Sequence, residues 1–470
     1  MRFFSIFFVL ILTAWTANVA AQEQEQEQEQ QSAPEVNLPA VRLTGDLLYR
    51  IVAAEMAISE RQFDRASSWF LSLARETADP RLAQKALQAA VLAGNMERAR
   101  RAARQWLELT PSDPRAIISG MTIAARMGQT RGMPYVLNGL IETADGRTAR
   151  EQAVRQVAAI VSRIENKRTA LKVLEETLAP WLTTLPVANL MLADAAWQAE
   201  QPARAWQAVQ QAQQQAPDSE EIAQRALAYG VQAEPEGTLA QARAFLAQHP
   251  QADRLGVQLA AALMEQDRSE EALQVLAQLQ QQMPGNINLL RAEAELQLQA
   301  DNVAGAITAL EQASRLRPQS INLRYELGML YERDGRLDDF ERVMQAIIDE
   351  DPEHANALNA LGYTWADHNR RLDEARGLIA RALQLSPDSP HILDSMGWYY
   401  FRAGDLAQAR EYLERALQDL PAADVAAHLG EVLWQLNERD RARNIWRSAW
   451  EREADNDVLR ETLQRYGVTF

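Results

Sequence analysis

The sequence predicts an all-α solenoid: an α-α superhelix of about twelve helical hairpins stacked in a row, closed at the C-terminal end by one capping helix. Three observations predict it. Pro217, Pro250, Pro284, Pro318, Pro352, Pro387 and Pro421 follow one another at separations of 33 to 35 residues. Between these prolines the same slots carry the same kinds of side chain. Finally, 47% of the 470 residues are hydrophobic, enough for a packed core and too many for a wholly disordered chain.

The elements follow in order. Met1 and Arg2 open the chain, an apolar run covers residues 3–17, and Ala20 and Ala21 precede Gln22. This is the layout of a cleaved export signal over residues 1–21, with an uncleaved membrane anchor as the alternative. In residues 22–43, glutamine and glutamate alternate, no apolar period exists and like charges repel, so this stretch reads as a disordered linker. Residues 44–185 hold divergent units. The unit starting at Pro80 fits the repeat and that from Leu47 fits more loosely, whereas 114–150, with Met133 and Pro134 where a small residue is expected, and 151–185 are degenerate. Residues 186–455 form the regular array, and 456–470 the capping helix and tail, with Val458, Leu459 and Leu463 as its apolar face.

Each slot has a physical reason. Counting Ile287 as position 1, Leu290, Ala294, Ala306, Leu310, Ala313 and Pro318 fall at positions 4, 8, 20, 24, 27 and 32. Later units place Gly328, Gly362, Gly397 and Gly430 at position 8, and Ala409 and Ala442 at position 20. Small residues there let two helices approach closely, while larger ones at helical spacing fill the seam. Proline at position 32 ends the second helix. The unit from Ala355 carries one extra residue in its inner turn, at 368–371, which accounts for the single spacing of 35. One hairpin alone leaves an apolar face in water. Stacking covers it, and each Leu or Val so buried contributes about 1.5–3 kcal/mol.

This pattern resembles the tetratricopeptide repeat over nearly all of the chain beyond the linker. The resemblance implies a right-handed superhelix whose first helices pave a concave groove, with positions 2, 5, 9, 12 and 13 pointing into it. It also implies binding of proteins or extended peptides. The candidate partner-binding residues are then Asn288, Asn322, Tyr325, Asn356, Asn359, Tyr363, Asp367, His391, Asp394, Trp398, Arg402, Glu431 and Trp434. Asn288, Asn322 and Asn356 recur every 34 residues. Amides both donate and accept, which suits a peptide main chain; equally, asparagine caps helices. Trp398 and Trp434 are either apolar anchors for a partner or packing between units. The lysine and asparagine clamp of chaperone-binding members is not found, so chaperone C-termini are not expected ligands.

Other functions are excluded by composition. Lys+Arg 48 against Asp+Glu 64 gives −16, and only Lys85, Lys167 and Lys172 are lysines, so nucleic acid is not an expected partner. Without cysteine there is no disulfide, no thiolate metal site, no cysteine nucleophile and no lipid-bearing cysteine. Phosphate loops, zinc-protease helices, nucleophile elbows and calcium loops are missing from the sequence. Ser395 lies mid-helix at position 6 of its unit, not on a strand-to-helix turn. His249 and His354 stand beside unit-boundary prolines as turn residues, and His368, His391 and His428 would have to converge from separate units to hold a metal. No catalytic residue, metal or cofactor is expected, and the chain reads as a binding protein, not an enzyme.

The strings NALGYT at 359–364, ILDSMGW at 392–398 and AAHLGEVLW at 426–434 are similar to those of a proteobacterial envelope family. That family includes the outer-membrane lipoprotein adaptor of a periplasmic carboxyl-terminal processing protease. The resemblance implies a periplasmic adaptor whose N-terminal part docks the protease and whose superhelix holds substrates such as peptidoglycan hydrolases. The adaptor carries a lipidated cysteine, so lipid anchoring is not carried over to this chain. The alternative is a structural scaffold of an envelope assembly or polysaccharide export machine.

Overall fold

A computed structural model of the protein describes residues 41–470; the export signal expected at 1–21 and all of the linker except Val41, Arg42 and Leu43 lie outside the described residues. Those three are exposed and non-helical. The remainder is helical, with no strand among the described residues. In the first half the helices are α1 (Gly45–Ser59), α2 (Phe63–Thr77), α3 (Pro80–Leu92), α4 (Met96–Leu109), α5 (Pro114–Arg126), α6 (Met133–Glu142), α7 (Gly146–Val161), α8 (Lys167–Leu178), α9 (Pro186–Gln198), α10 (Pro202–Gln215), α11 (Glu220–Gly230) and α12 (Pro235–Gln248). In the second half they are α13 (Asp253–Met264), α14 (Ser269–Gln282), α15 (Ile287–Gln299), α16 (Val303–Leu316), α17 (Ile321–Arg333), α18 (Leu337–Glu350), α19 (Ala355–Asp367), α20 (Leu372–Leu385), α21 (Pro390–Arg402), α22 (Leu406–Asp419), α23 (Ala423–Gln435), α24 (Arg439–Trp450) and α25 (Asp457–Tyr466). The described chain is therefore twelve successive helix pairs and one final helix. By its internal contacts it divides into unit 1, Met1–Phe245, and unit 2, Leu246–Phe470. No described helix is long and apolar enough to cross a membrane.

The periodic prolines act through the residue before them. Thr110, Ala216, Met283, Arg317, Asp351, Ser386 and Leu420 each end a second helix and each precede proline. All seven have φ between −142 and −129 and ψ between 63 and 93. The proline ring disfavours helical geometry at that residue, so the helix stops there and the chain turns to the next hairpin at the same angle each time. Inside the hairpins, Asp267, Asp301, Gly335, Asn369, Gly404 and Asn437 take the left-handed conformation that closes a helix. The extra residue of the unit from Ala355 is absorbed here: Asn369 and Arg371 are both left-handed, with φ of 53 and 45.

Packing follows the slots. In unit 1, Phe70, Leu73, Ala86, Ala90 and Trp106 belong to one core. In unit 2, Phe340, Met344 and Ile347 of α18 pack with Leu361 and Trp365 of α19 and Ile379 of α20. Gly430 shows why position 8 is small: a Cβ there would meet the Trp446 indole nitrogen at 2.0 Å. That indole donates to the Ala427 carbonyl at 3.2 Å, so it has no freedom to retreat.

The first and last helices differ. α25 buries Leu459, Thr462 and Leu463, whereas α1 buries Leu47, Ala54 and Ala57 on one side and leaves Leu48 (50%), Tyr49 (73%), Val52 (47%) and Met56 (57%) exposed on the other.

Candidate functional site

All thirteen candidate residues lie in unit 2, on the first helices α15, α17, α19, α21 and α23. The structure sorts them into three groups.

The first is an amide-lined cavity. Asn288 and Asn322 are brought together in a cavity of about 730 Å³, with Gln282, Arg291, Arg317 and Glu326 also on its wall. All three asparagines of the row are exposed, and Asn356, one period further on, does not line the cavity. Helix capping by this asparagine row is corrected by the structure. The caps sit two residues upstream: Asn286 accepts from the Asn288 and Leu289 amides at 2.9 and 3.4 Å, Ser320 accepts from Leu323 at 3.4 Å, and His354 Nδ1 accepts from Ala357 at 3.1 Å. Asn288, Asn322 and Asn356 are the second residues of their helices, past the capping position. Arg291 spans two hairpins, donating to Glu326 at 3.2 and 2.7 Å.

The second group is an aromatic and carboxylate cluster on α17, α19, α21 and α23. Trp398 is 4% exposed. Its indole donates to Asp367 Oδ1 at 2.8 Å, and its ring stacks on Phe401 at 4.8 Å and on His428 at 4.1 Å. Asp394 pairs with His428 Nδ1 at 2.9 Å. Burial opposes charge on this imidazole, but Asp394, Glu431 and Asp424 outweigh it and hold His428 above the usual histidine range. Tyr363 lies beside it, with ring centres 6.2 Å apart. Burial, then Asp367, Asp394, Asp424 and Glu332, push the Tyr363 phenol well above its ordinary value. Burial likewise raises the Glu332 carboxyl, with Asp367 adding and His368 opposing. Tyr325 is half-buried against the His354 ring at 5.7 Å, and burial raises its phenol too. The Asn359 side-chain oxygen is buried without a hydrogen bond. His391 is exposed and Arg402 half-buried. This face is thus negative, with its central tryptophan already packed.

The third group belongs to the closing helix. Glu431 is 2% exposed. It accepts from Thr462 at 3.0 Å, from Arg465 at 3.1 and 3.2 Å, and from Tyr466 at 3.2 Å. Trp434 stacks on Trp446 at 5.6 Å and lies 5.5 Å from Tyr466, with Arg439 and Arg443 over its ring. Trp398 is packed between hairpins, whereas Trp434 is half-buried, against Trp446 of its own hairpin and Tyr466 of the closing helix. Glu431, expected in the groove, is committed to α25 for the same reason: a buried carboxylate needs donors, and the last helix supplies them.

His428 was missed in the sequence as a partner of this cluster. A signal existed, because it stands 34 residues after Asp394, one repeat period. No group of three or more metal-ligating side chains is assembled among the described residues.

Comparison with known proteins agrees with the helix pairs. Sequence patterns described as tetratricopeptide repeat match residues 297–362, 400–465 and 341–390. A TPR repeat-containing protein of Pseudomonas aeruginosa is 39% identical over 204 residues, covering 43% of this chain. The match spans 35% of that relative's own length. Among solved structures, yeast Tom70 aligns over 90% of this chain and 94% of its own, at 15% identity and a TM-score of 0.39. PilW, titled a widely conserved type IV pilus biogenesis factor, aligns over 45% of this chain and 99% of its own, at 18% identity and a TM-score of 0.37. The matched stretches fall on helices α15 to α25, and there the chain carries tetratricopeptide repeats.

Proposed function

We propose that the protein is a non-catalytic periplasmic adaptor that brings a carboxyl-terminal processing protease to peptidoglycan hydrolases. Tetratricopeptide repeats are protein-interaction scaffolds, and the strings at 359–364, 392–398 and 426–434 supply the likeness to the adaptor family. What carries the adaptor role is that the chain offers two chemically different surfaces. The free face of α1 is apolar, with Leu48, Tyr49, Val52 and Met56 in water. The wall of the unit 2 cavity is polar, built from Asn288, Asn322 and Arg317. An adaptor needs one surface for the protease and another for the substrate; holding both on one chain makes their encounter effectively intramolecular. The apolar face suits the protease, since an exposed apolar patch with a polar rim marks a protein-binding surface. Its rim charges are already neutralised, Arg50 by Asp46 and Glu76 and Lys85 by Glu55.

The test is capture of the processing protease from periplasmic extract by the full chain, followed by hydrolase degradation with and without added chain. Capture and faster degradation are expected, and both should fall when Leu48, Val52 and Met56 are changed to serine. If the protease is not captured and degradation is unchanged, the adaptor role is excluded, and recovery of envelope-assembly or export components instead would establish the structural scaffold.

A further inference from the structure

We propose that the chain binds a second copy of itself edge to edge, with a basic row of turns in unit 1 of one copy against an acidic row of turns in unit 2 of the other. This goes beyond the adaptor reading and does not rest on it. In each hairpin the chain turns where the first helix gives way to the second, and stacking sets successive turns side by side along one edge. Taken with three residues before and six after, the turns at 93–95, 127–132 and 162–166 hold nine arginines and lysines against two glutamates, 9 − 2 = +7. The same windows around the turns at 265–268, 300–302 and 334–336 hold four arginines against ten acidic residues, 4 − 10 = −6. Arg98 pairs with Asp64 outside its window at 2.7 Å, and Glu341 with Arg370 at 3.2 Å, which leaves +6 and −5.

The basic edge is held in place by buried side chains. Met133 and Ile164, at two of its turns, are each 2% exposed and belong to one core. Lys167 ties the third turn further, donating to the Ser162 and Ile164 carbonyls at 2.8 and 3.3 Å. Beside these anchors Arg126, Arg131, Arg163 and Arg168 are exposed, and Tyr135 is exposed to 86%. Two of the turns run to six and five residues, against three at 300–302 and 334–336. The hairpins that depart from the regular repeat are thus the ones that carry the positive charge.

Charge selects the occupant. The complement of the basic edge is present on the chain itself, opposite in sign and nearly equal in size. Both edges consist of three successive turns set by the same hairpin stacking, so arginine meets carboxylate once per hairpin, and the planar guanidinium fits a carboxylate with two hydrogen bonds. Tyr135 adds an amphipathic ring among these arginines, a residue type favoured at interfaces. Two chains of −16 repel one another at a distance. At physiological salt, however, exposed charges are screened beyond about 8 Å, so local complementarity decides once the edges are nearly in contact. The association is therefore weak and salt-sensitive.

Sedimentation velocity of the full chain over a wide concentration range tests this. In about 0.05 M salt the mass should rise above the 52.7 kDa of one chain as concentration rises, and in about 0.5 M salt it should return there. Two triple variants locate the contact. Arg126→Glu, Arg163→Glu and Arg168→Glu together leave only the acidic edge intact; Glu265→Arg, Asp334→Arg and Asp338→Arg together leave only the basic edge intact. All six residues are exposed, and circular dichroism checks that each variant keeps its helices. Each variant alone should self-associate at least about tenfold more weakly than the parent. The equimolar mixture holds one intact edge of each sign and should recover the association. A parent chain that is monomeric in every salt concentration overturns the proposal, and this arm needs no variant to fold. Association that survives about 0.5 M salt or either variant, or a mixture that fails to recover it, also overturns it. So does a monomeric chain that binds phosphatidylglycerol vesicles and loses them in the arginine variant, which would make the basic edge a membrane surface. Protease capture reads the adaptor role separately, so either proposal can fail while the other stands.

Discussion

The two terminal helices solve the same problem in opposite ways. A repeat array has an apolar face left over at each end, and something must cover it. At the C-terminal end α25 does so. It gives Leu459 and Leu463 to the array and reaches back with Thr462, Arg465 and Tyr466 to Glu431. Its outward side is polar except for Val458, which was expected on the apolar face and is 38% exposed. At the N-terminal end α1 packs Leu47, Ala54 and Ala57 inward but is apolar on its outward side as well. α25 thus turns a mostly polar side outward, while among the described residues α1 leaves an apolar face exposed. The difference lies in how much apolar area each helix leaves exposed.

Three perturbations break or sharpen that contrast. The largest effect should follow from ending the chain before Asp457. Glu431 would lose its donors while buried, and two leucines would lose their cover, at a combined cost of roughly 5 kcal/mol or more. A melt followed by circular dichroism should then show an early transition that the intact chain lacks. Next comes Trp398→Ala, which removes a buried indole, its hydrogen bond to Asp367 and its stack on His428. A loss of about 3–5 kcal/mol is expected in urea unfolding, where an exposed groove anchor would give almost none.

The smallest effect concerns pH. His428 is held above the ordinary histidine value of about 6.5 by its carboxylate partners. Its protonated form is therefore favoured in the folded state. That stability is fully present below the unfolded value and is lost as pH rises through the folded one. Unfolding midpoints measured from pH 6 upward should fall, and His428→Gln should flatten the fall.

Much of this was legible in the sequence because the repeat is strict. Proline and glycine fix backbone geometry locally, so Pro318 and Gly430 announce a helix end and a close approach without knowledge of the neighbours. The extra residue at 368–371 could be placed in a turn for the same reason. The site was less legible. Whether a position-9 residue such as Trp398 or Glu431 faces a groove or is consumed by the next hairpin depends on what stands about one period further on. Asp367 finds Trp398 at 31 residues, Asp394 finds His428 at 34, and Glu431 finds Arg465 at 34. Reading the sequence one repeat against the next exposes these pairs; reading each unit alone does not. Helix caps were displaced by two residues for a simpler cause. Asn288, Asn322 and Asn356 share the residue type of a cap, but Asn286, Ser320 and His354 hold the position.

Hydrogen exchange of the full chain with and without the purified processing protease tests the central claim most directly. Slowed exchange in peptides covering 45–59, with 457–466 unchanged, is the result the two ends predict. Protection at 457–466 with none at 45–59, or protection at neither, would contradict it.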